Sequence, residues 1–487
     1  MTTPSTSKPM DSPKNSALDT GLKVRHLALK VLLELERNDS FRHKAASLLE
    51  EFQQRDKSFS KIAFHQSDKR LLKALTFGVL RWQARLDAWI EILSKRSVKR
   101  LDVNVRCILR LGLFQLHGLD GIPDYAAIDT SVKLARKIRC REVSIKFINA
   151  NLREAQRRLQ SGSLPGAGVV PEADKLPLAE HLLYEAAWPL AWTEAVLKQY
   201  SESIVTEMAE AWKSPAPIML RVNTLKISMS GFQMALNEAQ INFEEYFLTD
   251  AESDLDAFAK PIGIRLTDRE LDIRSLPGYA EGWFYVQDLA SMWVPCLLSP
   301  QAGESILDLC AAPGSKTTQI AALSNNQARI TAVEIAPKRA ERLKENFERL
   351  GVENARIVVA DALSESFQES LNDASSEGFD KVLVDAPCSG SGTIRRHPEI
   401  LRHVPPTSYA EFTITQQALL QRGASFLKSG GILVYSTCSI LSEENAMRVR
   451  EFLEQNSQFT LQYELQRPIT DLNDGFYAAV LLKNRKS

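Results

Sequence analysis

A chain of 487 residues, 44% hydrophobic and 25% charged, is long enough for two or three domains with sizeable cores. That composition excludes the disordered and collagen-like classes, and no run of 18 or more apolar residues marks a membrane span. The formal net charge of zero conceals a division, because residues 21–160 hold 29 Lys and Arg against 15 Asp and Glu, and the rest carries the compensating acidic excess.

In chain order, residues 1–22 are rich in Ser, Thr, Pro and Lys and read as a disordered tail, not a signal peptide. Residues 23–160 show helical periodicity almost throughout, as in Val24, Leu27, Ala28, Val31, Leu32 and Leu35, which predicts an all-α domain. Residues 161–180 open on Ser, Gly and Pro and read as a linker. Residues 181–280 are mixed, with a strand at Ile218–Val222 and a helix at Phe232–Ala239, and form a small α+β extension. Residues 281–487 alternate, with strands near Ser305–Cys310, Ile330–Glu334, Arg356–Ala360, Lys381–Asp385 and Gly431–Tyr435. Helical patterns lie at 316–324, 337–350, 413–428 and 442–454. Such alternation predicts a parallel, Rossmann-like α/β sheet with helices on both faces.

A basic helical module beside an acidic α/β module points to nucleic acid as the partner. The six cysteines are scattered, with no zinc-ligand spacing, and imply free thiols in a reducing, cytoplasmic setting with no metal. Monomer is the default oligomeric state.

The run Ile306–Thr317 reads as a buried strand, a loop of small residues (Cys310, Ala311, Ala312, Pro313, Gly314, Ser315) and a helix start at Lys316. Small residues let backbone approach a ligand, and the helix N-terminus offers free N–H groups. Glu334 ends the next strand, where an acid accepts ribose hydroxyls, and Asp361 follows the third strand, where it can accept from an adenine amino group. Neither a GxGxxG nor a P-loop is present, since Leu309 stands where the latter needs glycine. Adenosine without pyrophosphate points to S-adenosylmethionine. Asp308 and Lys316 read as supports of the loop.

Two further strands run into cysteines, Asp385-Ala-Pro-Cys388-Ser-Gly-Ser-Gly and Tyr435-Ser-Thr-Cys438-Ser. In an open α/β sheet both thiols then face the crevice that holds the cofactor. A thiol has a reason to be there. Carbon 5 of a pyrimidine is a poor nucleophile until a thiolate adds to carbon 6 and makes it an enamine carbon. Asp385, at a strand end, can hold N3 or the exocyclic amine.

These motifs resemble motifs IV and VI of the RNA cytosine-C5 methyltransferases, and Leu307–Thr317 is similar to their motif I. The likeness extends to Met219–Asn223, Tyr285–Ala290, Arg395–Glu399 and Asp474–Tyr477. Phe77–Arg81 and Phe147–Arg153 are similar to segments of the RNA-binding domain of the antitermination factor NusB. A NusB-like domain joined to this module is the arrangement of the bacterial 16S ribosomal RNA (cytosine-C5) methyltransferase B family. The resemblance implies that Cys438 is the nucleophile, that Cys388 helps release product, and that residues 310–316, Glu334, Asp361 and Asp385 line the cofactor and base site. It implies 16S rRNA or its precursor as substrate. Ser315 stands where the family mostly has a second glycine, and Glu334 where aspartate is commoner; both keep the needed chemistry.

Three alternatives are weaker. A DNA cytosine-C5 methyltransferase attacks with the Pro-Cys cysteine and does not require Cys438. An amino-group methyltransferase would replace Ala-Pro-Cys with Pro-Pro and an aromatic residue. A non-catalytic assembly factor would not need to keep Cys438 or the motif I loop.

Overall fold

The computed structural model describes residues 13–37, 44–55, 65–166, 176–247, 262–268, 271–371, 378–403 and 409–485. The chain forms two compact units, Met1–Ala195 with His397–His403, and Val196–Arg396 with Val404–Ser487. Among the described residues no helix is long and apolar enough to cross a membrane.

The first unit is helical: α1 (Pro13–Arg37), α2 (Ala45–Arg55), α3 (Gln66–Arg81), α4 (Gln83–Ser94), α5 (Val103–Gly118), α6 (Asp124–Lys137), α7 (Glu142–Gln160) and α8 (Leu178–Ala186), followed by the start of α9 (Leu190–Leu197). Asp102 caps α5 by accepting from the Asn104 and Val105 N–H groups, which satisfies donors that a helix start leaves open. The apolar stripes meet in one core containing Leu27, Val31, Leu75, Val79, Trp89, Ile108, Leu111, Ile148 and Leu152.

Three expectations are revised in this unit. Helix α1 starts at Pro13, within the stretch read as a disordered tail, and Pro is favoured in a first turn. Residues 1–12 lie outside the described residues. The linker reading fails at its start, because Leu164 is fully buried, the Trp89 indole N–H donates to the Pro165 carbonyl at 2.9 Å, and Arg85 donates to the Gly166 and Tyr184 carbonyls. An apolar side chain and two buried donors hold that segment in place. Residues 167–175 of the linker lie outside the described residues, and the remainder runs into α8 at Leu178.

Residues 397–403, read as part of the catalytic module, also belong to the helical unit. The physical reason is Glu36, a carboxylate 8% exposed that accepts from Arg110 at 2.9 Å, Arg402 at 2.9 Å and Arg106. Arg110 also grips Asp87 through two bonds, and the Ala45 N–H donates to Glu399 at 3.1 Å.

The second unit holds two sheets. The smaller is antiparallel in the order β2-β3-β1-β4, formed by β1 (Ile218–Val222), β2 (Phe243–Phe247), β3 (Ile262–Leu266) and β4 (Phe284–Val286). Helices α10 (Glu202–Trp212) and α11 (Met229–Glu238) accompany it, and Leu220, Phe232, Leu236, Ile264 and Phe284 form its core. Helix α12 (Leu289–Leu298) leads to the larger sheet, whose order is β10-β11-β9-β8-β5-β6-β7.

Its elements are β5 (Ser305–Asp308), α13 (Ser315–Leu323), β6 (Arg329–Glu334), α14 (Pro337–Leu350), β7 (Ala355–Val359), β8 (Phe379–Asp385), α15 (Ala410–Ser425), β9 (Leu427–Thr437), α16 (Ala446–Gln455), β10 (Phe459–Arg467) and β11 (Phe476–Lys483). Strands β5 to β9 pair in parallel and read as apolar runs because both faces are covered. The expected parallel sheet is extended at one edge by two strands the sequence analysis did not name: β11 pairs antiparallel with β9, and β10 antiparallel with β11. The chain leaves β5 towards β6 and β7, then returns to build β8 and β9 on its other side. The reversal beside β5 is where such sheets bind ligands.

Candidate active site

Because β5 to β9 are parallel, Asp308, Glu334, Val359, Asp385 and Thr437 all end at one edge of the sheet. The β5–α13 loop opens there. Gly314 has φ of 102°, and a Cβ at this position would stand 2.7 Å from Leu343 Cδ1, so both conformation and space call for glycine. Asp308 is buried and anchors the loop by accepting from Thr317 Oγ1 at 2.7 Å and the Cys310 N–H at 3.4 Å. Burial pushes its carboxyl up to about 7, against the Thr317 hydrogen bond and with the help of the Asp385 charge.

From α14, Arg339 donates to the Ala312 carbonyl at 2.7 Å and Asn346 to the Pro313 carbonyl at 2.9 Å. Ala311 donates its N–H to Val333, and Ser315 opens α13. Burial, then the nearby Asp308, Asp385 and Glu334 carboxylates, hold the Cys310 thiol well above the ordinary range, which leaves it no nucleophile.

Glu334 is 2% exposed at the end of β6, where its Oε1 accepts from the Ala336 N–H at 3.0 Å and Arg339 at 3.2 Å. Asp361 is exposed beyond β7 and accepts from the Leu363 N–H at 2.9 Å. Asp385 ties three elements together: its Oδ1 accepts from Ser436 Oγ on β9 at 2.8 Å and its Oδ2 from Lys316 Nζ on α13 at 2.6 Å. Burial works against the Lys316 charge, and Asp385 outweighs it, so the ammonium is held above its usual pKa.

The register of β8 on β9 sets the cysteines. Asp385 lies opposite Ser436, Cys388 follows three residues after the first and Cys438 two residues after the second. The two sulfurs meet at 3.2 Å. Their acidities part. The contact with Cys388 pulls Cys438 down, with Lys316 assisting against burial. The same contact, burial, and the Cys438 and Glu444 charges push Cys388 up. Of the two thiols in this contact, Cys438 is the more acidic and Cys388 the less.

The sequence analysis names Thr317 and Ser436 only inside their motifs, with no role, and misses Arg339, Asn346 and the buried acid Glu444. Ile335 and Leu363 were also missed; they are large, 61% and 41% exposed, and flank Glu334 and Asp361. An exposed apolar residue just after a sheet-edge acid was the signal that could have found them. Gly392 was read only as part of a motif. A Cβ there would lie 2.0 Å from the Gly475 carbonyl oxygen, so it admits close passage of the segment that carries Asp474. Arg396 joins Asp474 at 2.6 Å to Asp288 at 2.7 Å, which explains three of the similar segments as one buried ionic knot.

Three family models match the chain. The 16S rRNA methyltransferase RsmB/F family matches residues 295–481, the NusB family residues 22–157, and the RsmF/B-like ferredoxin-like domain residues 188–251. A probable ribosomal RNA small subunit methyltransferase B of Synechocystis sp. is 33% identical over 446 residues, 90% of each chain. The ribosomal RNA small subunit methyltransferase B of Klebsiella pneumoniae is 33% identical over 93% of this chain and 100% of its own. Among solved structures, the protein PH0851 covers 98% of this chain and 100% of its own at a TM-score of 0.69 and 24% identity, which shows a shared fold. A methyltransferase homolog from Pyrococcus horikoshii is 30% identical over 63% of this chain and 99% of its own, with a TM-score of 0.52. Identity sustained over nine tenths of both sequences places this chain in the ribosomal RNA small subunit methyltransferase B family.

Proposed function

We propose that the protein methylates carbon 5 of a cytosine in 16S ribosomal RNA, with S-adenosylmethionine as donor and Cys438 as nucleophile. The observation that carries this reading is the sulfur pair, 3.2 Å apart at the sheet edge, with Cys438 the more acidic of the two. A thiolate held ready by a neighbouring thiol suits addition to cytosine carbon 6.

The residues fit the cofactor. The Cys310–Lys316 loop has a glycine cradle that a Cβ would fill, Glu334 is a buried acid for ribose hydroxyls, and Asp361 stands beside the apolar Leu363 for an adenine ring. When bound, S-adenosylmethionine supplies an electrophilic methyl group on a sulfonium. Asp385, locked by Lys316 and Ser436, accepts a hydrogen bond from the cytosine 4-amino group and orients the ring. Cys438 then adds to carbon 6. The Cys388 thiol steadies the sulfur as a thiolate before addition, and again as it departs while a water molecule acting as base takes the carbon-5 proton. The basic helical unit, which matches the NusB family, binds RNA through its phosphates.

The test is transfer of labelled methyl groups to small-subunit ribosomal RNA by the wild type, Cys438→Ala and Cys388→Ala. Transfer to cytosine carbon 5 that disappears in Cys438→Ala, with Cys388→Ala held on RNA as a covalent adduct, is the expected result. Activity that survives Cys438→Ala and dies with Cys388→Ala overturns the choice of nucleophile.

A further inference from the structure

Glu444 is a fully buried acid whose charge helps raise the Cys388 thiol but to which the proposed reaction gives no role. It precedes α16 and faces the backs of both cysteine loops. Its Oε1 accepts from the Ser389 N–H at 2.8 Å and from Gln416 Nε2 at 3.1 Å. Its Oε2 accepts from the hydroxyls of Ser389 and Ser439. Ser389 follows Cys388 in the chain, and Ser439 follows Cys438. One carboxylate thus takes four donors, and its oxygens bridge the residues next to the two sulfurs.

The surrounding bonds complete the bridge. Ser391 and Ser439 share a hydroxyl contact at 2.8 Å, the Ile440 N–H donates to Ser391 Oγ at 3.1 Å, and the Gly392 N–H donates to the Cys438 carbonyl at 2.9 Å. Asn445, the next residue along, donates to the Ser439 carbonyl at 2.9 Å and accepts from Thr437 Oγ1. The Glu444 carbonyl in turn accepts from Tyr435 OH at 2.6 Å. A buried carboxylate held by four neutral donors costs desolvation that a neutral packing residue would avoid. Retaining it is explained if Oε2 is needed to hold the Ser389 and Ser439 hydroxyls together while Oε1 fixes the Ser389 N–H.

We propose that Glu444 is a positioning residue: its carboxylate clamps the Cys388 and Cys438 loops together and thereby sets the distance between their sulfurs. The inference rests on the reading of the sulfur pair as the reacting centre, but the clamp itself is a claim about geometry. Sulfurs allowed to drift by about 1 Å lose roughly 10²-fold in a reaction that depends on alignment.

The test uses the full chain with three variants, Glu444→Ala, Glu444→Gln and the double variant Ser389→Ala/Ser439→Ala. The glutamine can still bridge, since its carbonyl accepts from the Ser389 N–H and the serine hydroxyls can turn to accept from its amide. Two readouts are taken. The first is methyl transfer, in which Glu444→Ala is expected to lower kcat about 100-fold with KM for RNA unchanged, while Glu444→Gln stays within about 10-fold of the wild type. The second does not need turnover: a diazene oxidant such as diamide takes one hydrogen from each thiol, is reduced to the hydrazine, and leaves one S–S bond between Cys388 and Cys438.

The rate of that bond is expected to fall about 10-fold or more in Glu444→Ala and in the serine double variant, and to recover in Glu444→Gln. A Glu444→Ala protein too unstable to isolate shifts the decision to the double variant, which keeps the acid and removes only hydroxyls. Disulfide formation at the wild-type rate in that variant, or in a folded Glu444→Ala, overturns the clamp. Absence of cytosine methylation in the wild type overturns the functional reading and leaves the oxidation result to decide the clamp alone.

Discussion

Asp308 shows how one buried side chain trades stability for position. Its folded-state pKa of about 7 exceeds the ordinary aspartate value of about 3.9. A raised acid stabilises the fold fully below the unfolded value, and that contribution is lost as pH rises through the folded one. Between about pH 4 and pH 7 the wild type therefore loses roughly 4 kcal/mol from this group. Asp308→Asn keeps an acceptor for the Cys310 N–H, can donate its amide to the Thr317 hydroxyl, and cannot ionise. The expected result is that its urea midpoint gains on that of the wild type between pH 5 and pH 8; parallel curves would show that Asp308 is not the group responsible. The cysteines were legible at this scale because each ends a strand within an unusual motif. Glu444 was not, since Ser442-Glu443-Glu444-Asn445 looks like any polar turn, and only the packed loops reveal what its second carboxylate meets.

At the level of elements, the β5–α13 turn depends on a single glycine. Gly314→Ala introduces a side chain at φ of 102° and within 2.7 Å of Leu343, so it should cost about 1–3 kcal/mol and weaken S-adenosylmethionine binding about 10-fold. Calorimetric titration with the cofactor and a thermal melt measure the two effects, and wild-type affinity in the variant would remove the loop from the proposed site. The parallel strands were readable from sequence as short apolar runs followed by helical periods. Strands β10 and β11 were passed over although Phe459, Leu461, Tyr463 and Leu465 alternate, because no helix follows either of them to complete the expected pattern. The small sheet was mostly invisible. Its four strands are three to five residues long, too short for a period to declare itself, and only β1 was found.

Across the whole molecule, the division of the chain departs from the order of its sequence. Residues 397–403 lie between the two cysteine motifs in sequence and yet form part of the helical unit, where Arg402 neutralises Glu36. Burial opposes ionisation of Glu36, but Arg110, Arg402 and Arg106 outweigh it and pull the pKa down to about 2. A depressed acid stabilises above its unfolded pKa, near 4.5, and loses that stability as pH falls through the folded one. Arg402→Met in the full chain should therefore move the acid unfolding of the helices to higher pH, by about half a unit to one unit, in circular dichroism at 222 nm. An unchanged acid midpoint would mean that Arg106 and Arg110 suffice.

The same contact bears on how the protein is made. Glu36 meets Arg106 and Arg110 early in synthesis, but Arg402 emerges about 290 residues later. At 5–20 residues per second, that is a delay of roughly 15–60 s. The first unit to leave the ribosome is thus among the last to be completed, and until then it presents an unfilled seat for Ile400 and Leu401 to any chaperone within reach.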